Sequence, residues 1–352
     1  MIRPRCRQIL AVIRLEMRKT FFARRGWWVY LLAFAPVAIW AGHAIDVSRS
    51  RDPALASAKT VPSFALDSIE TGMTPDEVIA KLGQPYSRRA FRTRRIDREV
   101  MSYTDGGNTY TLVFDHGELH GIRHAELCNL NQDSVIFAAV FQYFFLRLAI
   151  FFGCAGIFMN LFRGEMIDKS LHFYLLAPMR REVLLVGKYL AGLLATVVIF
   201  TGSAALQLLI FVAHFDSQVR AEYLNGPGWS QIAAYLGVTA LACLGYGSVF
   251  LAAGLLFRNP IIPAATVLLW ENVNLFLPAA LKKISVIFYL QSLCPVVAPP
   301  GRDMSPVLAL LVSNAEPAPA ALAVAGLIVV TLAVLAMAAR KARRLEINYG
   351  TD

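Results

Sequence analysis

Charged residues are scarce in this 352-residue chain, at 16%, where ordinary soluble domains carry about a quarter. The deficit comes from long charge-free runs, and a bilayer core takes about 20 consecutive apolar residues. That pattern excludes an ordinary soluble globule. Cysteine is sparse as well. The five, at positions 6, 128, 154, 243 and 294, form no Cys-x-x-Cys, which supports neither a zinc site nor a disulfide-rich fold. Cys154 and Cys243 fall inside apolar runs, where a thiol is a packing group. Three catalytic signatures are absent. Without a Gly-x-x-x-x-Gly-Lys-[Ser/Thr] loop, the chain does not bind and hydrolyse ATP by that route. Neither His-Glu-x-x-His nor Gly-x-Ser-x-Gly occurs, which removes two common hydrolase motifs. No catalytic residue, metal-ligand set or resident cofactor is expected in this chain.

What is present is a series of apolar segments. Six read as transmembrane helices: 27–45, 134–162, 189–213, 231–257, 260–281 and 317–339. Orientation follows from Lys and Arg in the flanking segments. Residues 1–26 hold eight Lys/Arg against one acid, and the loop 163–188 holds five against three. Arg258 marks the turn after the fourth span, and the tail 340–352 holds four against two. Six spans put all four segments on one side. That side is expected to be cytoplasmic, with both termini inside and residues 46–133 outside. Two features pull the other way. Lys282 and Lys283 would face outward, and the apolar stretch 284–298 could be a seventh span. Because that stretch is short and broken by Pro295, Pro299 and Pro300, residues 282–316 read as a re-entrant or interfacial hairpin, which membranes tolerate where protein covers the backbone. The first span reads as an uncleaved anchor, since its basic lead and its apolar run both exceed those of a signal peptide.

The amino-terminal segment 1–26 is amphipathic. On a helical wheel Ile9, Leu10, Ile13, Met17 and Phe21 share an arc, and Arg7, Arg14, Arg18 and Arg25 form an adjoining stripe. A basic amphipathic helix of this kind lies in the interface against anionic lipid.

Residues 46–133 are polar, with 11 Lys/Arg and 13 Asp/Glu. A structureless loop of that length is uncommon, so a small domain is expected. Thr74-Pro75-Asp76-Glu77 is a capping box, with Pro75 at the first helical position, and Gly83 ends the short helix. Strands are expected at 101–103, 108–114 and 118–124, with Asp115-His116-Gly117 turning the last hairpin. The pattern Gly72-Met73-Thr74, Leu82-Gly83-Gln84-Pro85, Tyr103 and Val113-Phe114-Asp115-His116-Gly117 resembles the SmpA/OmlA (BamE-like) domain. That resemblance implies two helices on a three-stranded antiparallel sheet, in a family of periplasmic envelope lipoproteins. Here there is no lipobox cysteine, so lipidation is not expected. Arg88, Arg89, Arg92, Arg94, Arg95 and Arg98 could bind an anionic partner such as a lipid head group, or form a solvated loop whose charge is offset by acids of the same domain.

Between the second and third spans the chain carries Glu165, Leu175, Leu176, Pro178, Arg180, Arg181, Gly187 and Lys188. An acid, a short helix ending in Leu-Leu-x-x-Pro, a basic turn and Gly-Lys resemble the cytoplasmic coupling loop of ABC-2 type permeases (type-2 ABC exporters). The resemblance implies a polytopic α-helical membrane protein of six spans, with an elbow helix at 1–26. It further implies a second permease copy, identical or not, and a cytoplasmic ATPase partner that binds ATP and Mg. No nucleic-acid partner is implied. A rigid helix between two spans can transmit a push, with Pro178 fixing the turn after it. The plainer reading is a basic loop obeying the charge rule.

Arg147 and Glu271 are the charged side chains within the spans, and such groups default to functional hypotheses. They could pair across spans two and five, with Asn272 and Asn274 adding donors and acceptors. The alternative is a structural role, or Arg147 reaching an interface. Two other functions stay open: a membrane scaffold or sensor presenting its outer domain without transport, and an intramembrane enzyme, although Glu271, His43 and His172 are too dispersed for a protease motif.

Overall fold

The structure is a computed structural model, and it describes residues 4–22, 26–50, 58–93, 96–105, 108–126, 130–167, 176, 180–215, 217–257, 259, 261–274, 278–296 and 318–343. The chain divides into two compact units. One comprises residues 1–41, 134–212 and 221–352, the other 42–133 and 213–220.

Most helices of the first unit are apolar around most of their surface, which suits burial in lipid or protein on all sides, while α1 is amphipathic. Its elements are α1 (Pro4–Phe22), most of α2 (Trp27–Ser50), α5 (Leu130–Ala139), α6 (Phe151–Ile167) and α7 (Arg181–Ala213). After α8 (Ser217–Tyr223) come α9 (Trp229–Leu256), α10 (Ile261–Val273), α11 (Ala279–Lys282), α12 (Val286–Ser292) and α13 (Ala320–Arg343). Between α5 and α6 the backbone ladder opens into π winding over Val140–Ile150. Among the described residues, five helical stretches are long and apolar enough to cross a membrane: Trp27–Ile45, Leu130–Met166, Arg181–Ala213, Val219–Leu256 and Ala320–Arg343. The expected fifth span, 260–281, is not one continuous described helix. α10 covers 13 residues, about 20 Å at 1.5 Å per residue, and a separate four-residue helix follows Pro278. Of the expected hairpin 282–316, the described part holds the end of α11 and the whole of α12, while 297–317 lie outside the described residues.

Two kinds of contact hold this unit together. Aromatic rings stack from one helix to the next: Phe137 meets Trp40, Phe211 and Tyr235, and Phe145 meets Phe200. Small residues let backbones approach, as is usual between helices in lipid. A Cβ at Gly254 of α9 would stand 2.8 Å from the Met159 backbone of α6, and one at Gly247 would strike the Phe158 ring.

The second unit carries a four-stranded antiparallel meander, β1 (Ser87–Thr93), β2 (Ile96–Thr104), β3 (Asn108–Asp115) and β4 (Glu118–Glu126), in sequential order. The expected sheet had three strands, and the structure has four. The missed strand is the arginine-rich stretch, which pairs with β2 from Ser87↔Ser102 to Thr93↔Ile96. Ala90 and Phe91 are exposed there, so this strand lacks the apolar-in, polar-out alternation that marks a half-buried strand. Charged side chains suit it as an edge, since they discourage pairing with another chain.

Local signals set the rest of this unit. Glu77 Oε2 accepts from the Thr74 backbone N–H at 2.9 Å, closing the capping box of α4 (Pro75–Leu82). Gly83, at φ 82°, caps its other end with N–H to Ile79 O. His116 and Gly117 take φ of 53° and 85° to turn the last hairpin. The core joins Val61, α3 (Ser63–Leu66) through Leu66, Ile69, and Val78 and Leu82 of α4 to Met101, Tyr103, Leu112, Phe114 and Leu119. Burial pushes the Tyr103 phenol up to about 12, and its hydroxyl donates to Gly83 O at 3.0 Å.

Candidate functional site

The sequence places Lys188 two turns into α7, eight residues before Thr196 on an apolar helix. Such a lysine must have its ammonium protons taken, because a buried unpaired charge is costly. Lys188 is fully buried. Its Nζ donates to Glu16 Oε1 at 2.7 Å and to Leu161 O at 2.8 Å, and lies 2.8 Å from Glu165 Oε2. The two hydrogen bonds and the adjacent Glu165 charge together compensate the buried ammonium. The Phe162 ring lies 5.4 Å from the ammonium. Glu165, also buried, pairs through its other oxygen with Lys19 at 3.0 Å. Four side chains, two of each sign, thus tie α1 to the end of α6 and the start of α7, which border the segment 168–180.

Helix α1 reaches this knot through a close approach. Val12 is buried, and a Cβ at Gly187 would stand 2.8 Å from its Cγ1. Residues 12 and 16, one turn apart, are therefore the docking face of α1. The wheel arc of Ile9, Leu10, Ile13 and Met17 is intermediate or exposed in the described residues. Sequence reasoning missed Glu16, although a lone carboxylate among eight basic residues was a legible signal.

The coupling-loop residues separate into three groups. Glu165 and Lys188 lie inside helices and are buried, so they hold the frame and do not present a surface. Arg180 and Arg181 are exposed, and Arg181 donates to Arg343 O at 3.0 Å. Beside it, Arg343 pairs with Glu182, joining the start of α7 to the end of α13. Leu176 is 79% exposed. Leu175 and Pro178 lie outside the described residues.

Arg147 and Glu271 are not joined by an ion pair. The Glu271 carboxylate accepts from Ser285 Oγ at 2.7 Å and from the backbone N–H groups of Val286 and Ile287 at 3.1 and 2.9 Å. It caps the start of α12, where free N–H groups attract a carboxylate. Arg147 sits in the π-wound stretch with its guanidinium 5.7 Å from the Tyr143 ring centre. Nearby Gln142 donates to Val296 O at 2.7 Å. Asn272 is exposed and donates to Leu268 O, whereas Asn274 is buried.

The arginine run lies on two strands. Arg98 grips Asp115 with two bonds, at 2.8 and 3.2 Å, and Arg88 pairs with Glu99. Arg89 is exposed. The backbone of Arg92 pairs opposite Asp97, and Arg94 and Arg95 lie outside the described residues. Acids of the same sheet offset at least two of the six.

Among the described residues, one group of side chains could converge on a metal ion: His43, Asp133 and His214. The spacing of these residues along the chain gives no metal motif. Asp133 and His214 border apolar runs and read as boundaries, while His43 is weighed with Glu271 and His172 as a dispersed protease candidate. No family model matches the chain, and comparison with curated proteins and with solved structures finds no match.

Proposed function

We propose that this chain is the membrane-spanning subunit of a type-2 ABC exporter, seated in a bacterial inner membrane and working as a dimer with cytoplasmic ATPase subunits. The observation that carries the reading is the knot of Glu16, Lys188, Glu165 and Lys19, which couples an amino-terminal amphipathic helix to both helices bordering the basic segment 168–180. A push on that segment acts on two helix ends that the ion-pair knot ties to α1, and so moves the three helices together. The resemblance of Glu165 to Lys188 to a coupling loop adds the expected source of the push. Among the described residues Arg180 and Arg181 are exposed cations there, and they are the residues assigned to touch the ATPase.

In this reading the chain has six spans. Five are the long apolar helices, and the sixth is the 260–281 segment, in which α10 covers about two-thirds of a core some 30 Å thick. Both termini are cytoplasmic, and residues 46–133 form a periplasmic BamE-like domain. That domain suits an envelope-related or amphipathic substrate, but fold alone does not fix a substrate. The second reading, a scaffold that moves nothing, is favoured by one observation: the sheet unit has a complete core of its own.

Copurification separates the two. Solubilised gently from native membranes, the chain is expected to bring with it an ATPase that carries a phosphate-binding loop. The Arg180→Glu/Arg181→Glu double variant is expected to lose that ATPase and keep its own fold. Recovery of the intact chain with no ATPase would favour the scaffold.

A further inference from the structure

The three groups that converge in the second unit are an imidazole from the outer turns of α2, a carboxylate from the first turn of α5 and an imidazole just after α7. His214 Nε2 lies 3.0 Å from Asp133 Oδ2, and His43 Nε2 lies 3.9 Å from Asp133 Oδ1. The two rings are 5.6 Å apart and edge to face, and all three ligand atoms fall within 4.8 Å of one another. His214 has a side-chain exposure of 2%, Asp133 of 15% and His43 of 39%. The group is therefore rooted inside the unit and open on one side.

We infer that His43, Asp133 and His214 form a binding site for one divalent first-row transition cation, Zn²⁺ by ligand type, with water completing the coordination. Two imidazoles and one carboxylate suit Zn²⁺ and its neighbours, whereas Ca²⁺ and Mg²⁺ call for oxygen ligands. A tetrahedral Zn²⁺ with bonds of about 2.0–2.1 Å sets its ligand atoms about 3.3–3.4 Å apart, between the two distances found here. At 3.9 Å the His43 nitrogen is too far from Asp133 for a hydrogen bond, and the gap is one that a shared cation would bridge. The open side, at His43, gives the ion a way in. Such a site would staple together the three chain segments that border the sheet domain, and it is independent of whether the chain transports anything.

The test uses the full chain in detergent, purified through a tag without histidine, stripped with a chelator and titrated with Zn²⁺. One equivalent is expected to bind with a Kd of about 1 µM or tighter, and to raise the unfolding temperature. His214→Ala and His43→Ala are each expected to weaken binding by about a hundredfold or more, since losing even a group behind a ligand costs up to that. His120→Ala, on the exposed face of β4, is expected to change nothing. If the ligand variants unfold, the wild-type protein still decides the matter: X-ray absorption of the Zn²⁺-loaded chain is expected to read two imidazoles with oxygen ligands. A chain that takes up no stoichiometric Zn²⁺, or that binds it equally after loss of both histidines, would overturn the site and leave a plain His214–Asp133 hydrogen bond.

Discussion

Lys188 shows what one residue decides here. A lysine with no solvent exposure is stable because Glu16 and the Leu161 carbonyl accept its hydrogen bonds and Glu165 sets a second negative charge beside it. Lys188→Ala removes the cation from between two buried carboxylates, and removing one partner of a buried pair costs about 3–5 kcal/mol. Thermal unfolding in detergent should show a large loss for the single variant. A triple variant, Lys188→Met with Glu16→Gln and Glu165→Gln, should recover much of it, because an apolar or neutral replacement leaves no charge uncompensated. Equal losses in both would mean that Lys188, Glu16 and Glu165 are not coupled. Sequence placed Lys188 and Glu165 in one loop motif, but the partner that explains their burial lies 172 positions from Lys188, and no local pattern reports a contact at that range.

Two carboxylates of the sheet unit give it a pH dependence. The Thr74 backbone N–H and hydroxyl hold the Glu77 carboxyl below its ordinary range, and the Arg98 guanidinium does the same for Asp115. A group depressed in the folded state contributes stability above its unfolded value, near 4, and loses it as pH falls through the folded value. Amide-exchange protection in β2, β3 and α4 should therefore fall below about pH 4. In the Glu77→Gln/Asp115→Asn variant the decline should be shallower. An identical decline in both proteins would assign the acid sensitivity to other groups.

At the scale of elements, close backbone approach is the contact most open to test. A methyl at Gly254 meets backbone atoms of Met159 at 2.8 Å, whereas one at Gly237 meets nothing within 4 Å. Gly254→Ala should cost about 1–3 kcal/mol through overpacking, and Gly237→Ala should be neutral or slightly stabilising, as alanine favours the helix. Melting curves of the two variants compare them directly, and matching values would show that α6 and α9 have room to shift. The elements themselves were unevenly legible. Apolar runs declared the long helices, because burial all round demands an unbroken run. Their ends were less clear: α6 continues to Ile167 and α7 starts at Arg181, each carrying charged residues past the apolar stretch. Capping and turn residues located α4 and the β3–β4 hairpin. β1 escaped notice because exposure on both faces erased its alternation, and the Glu271 cap of α12 escaped because the expected partner, Arg147, was also a charge in an apolar run.

For the whole molecule, the proposed topology gives a labelling pattern. Single cysteines introduced at Asp105 and Asp352 in a background without native cysteines should react from opposite faces, Asp105 from the periplasm and Asp352 from the cytoplasm. Periplasmic reactivity at Asp352 would make the number of spans odd and rule out six. The central claim, that this chain receives work from an ATPase, is tested most directly by ATP hydrolysis in lipid nanodiscs, comparing the purified complex with the ATPase subunit alone. The account predicts that the chain changes the hydrolysis rate several-fold. It also predicts that Arg180→Glu/Arg181→Glu returns the rate to that of the lone subunit while the chain still shows a cooperative melting transition. A hydrolysis rate that is the same with and without the chain would contradict it.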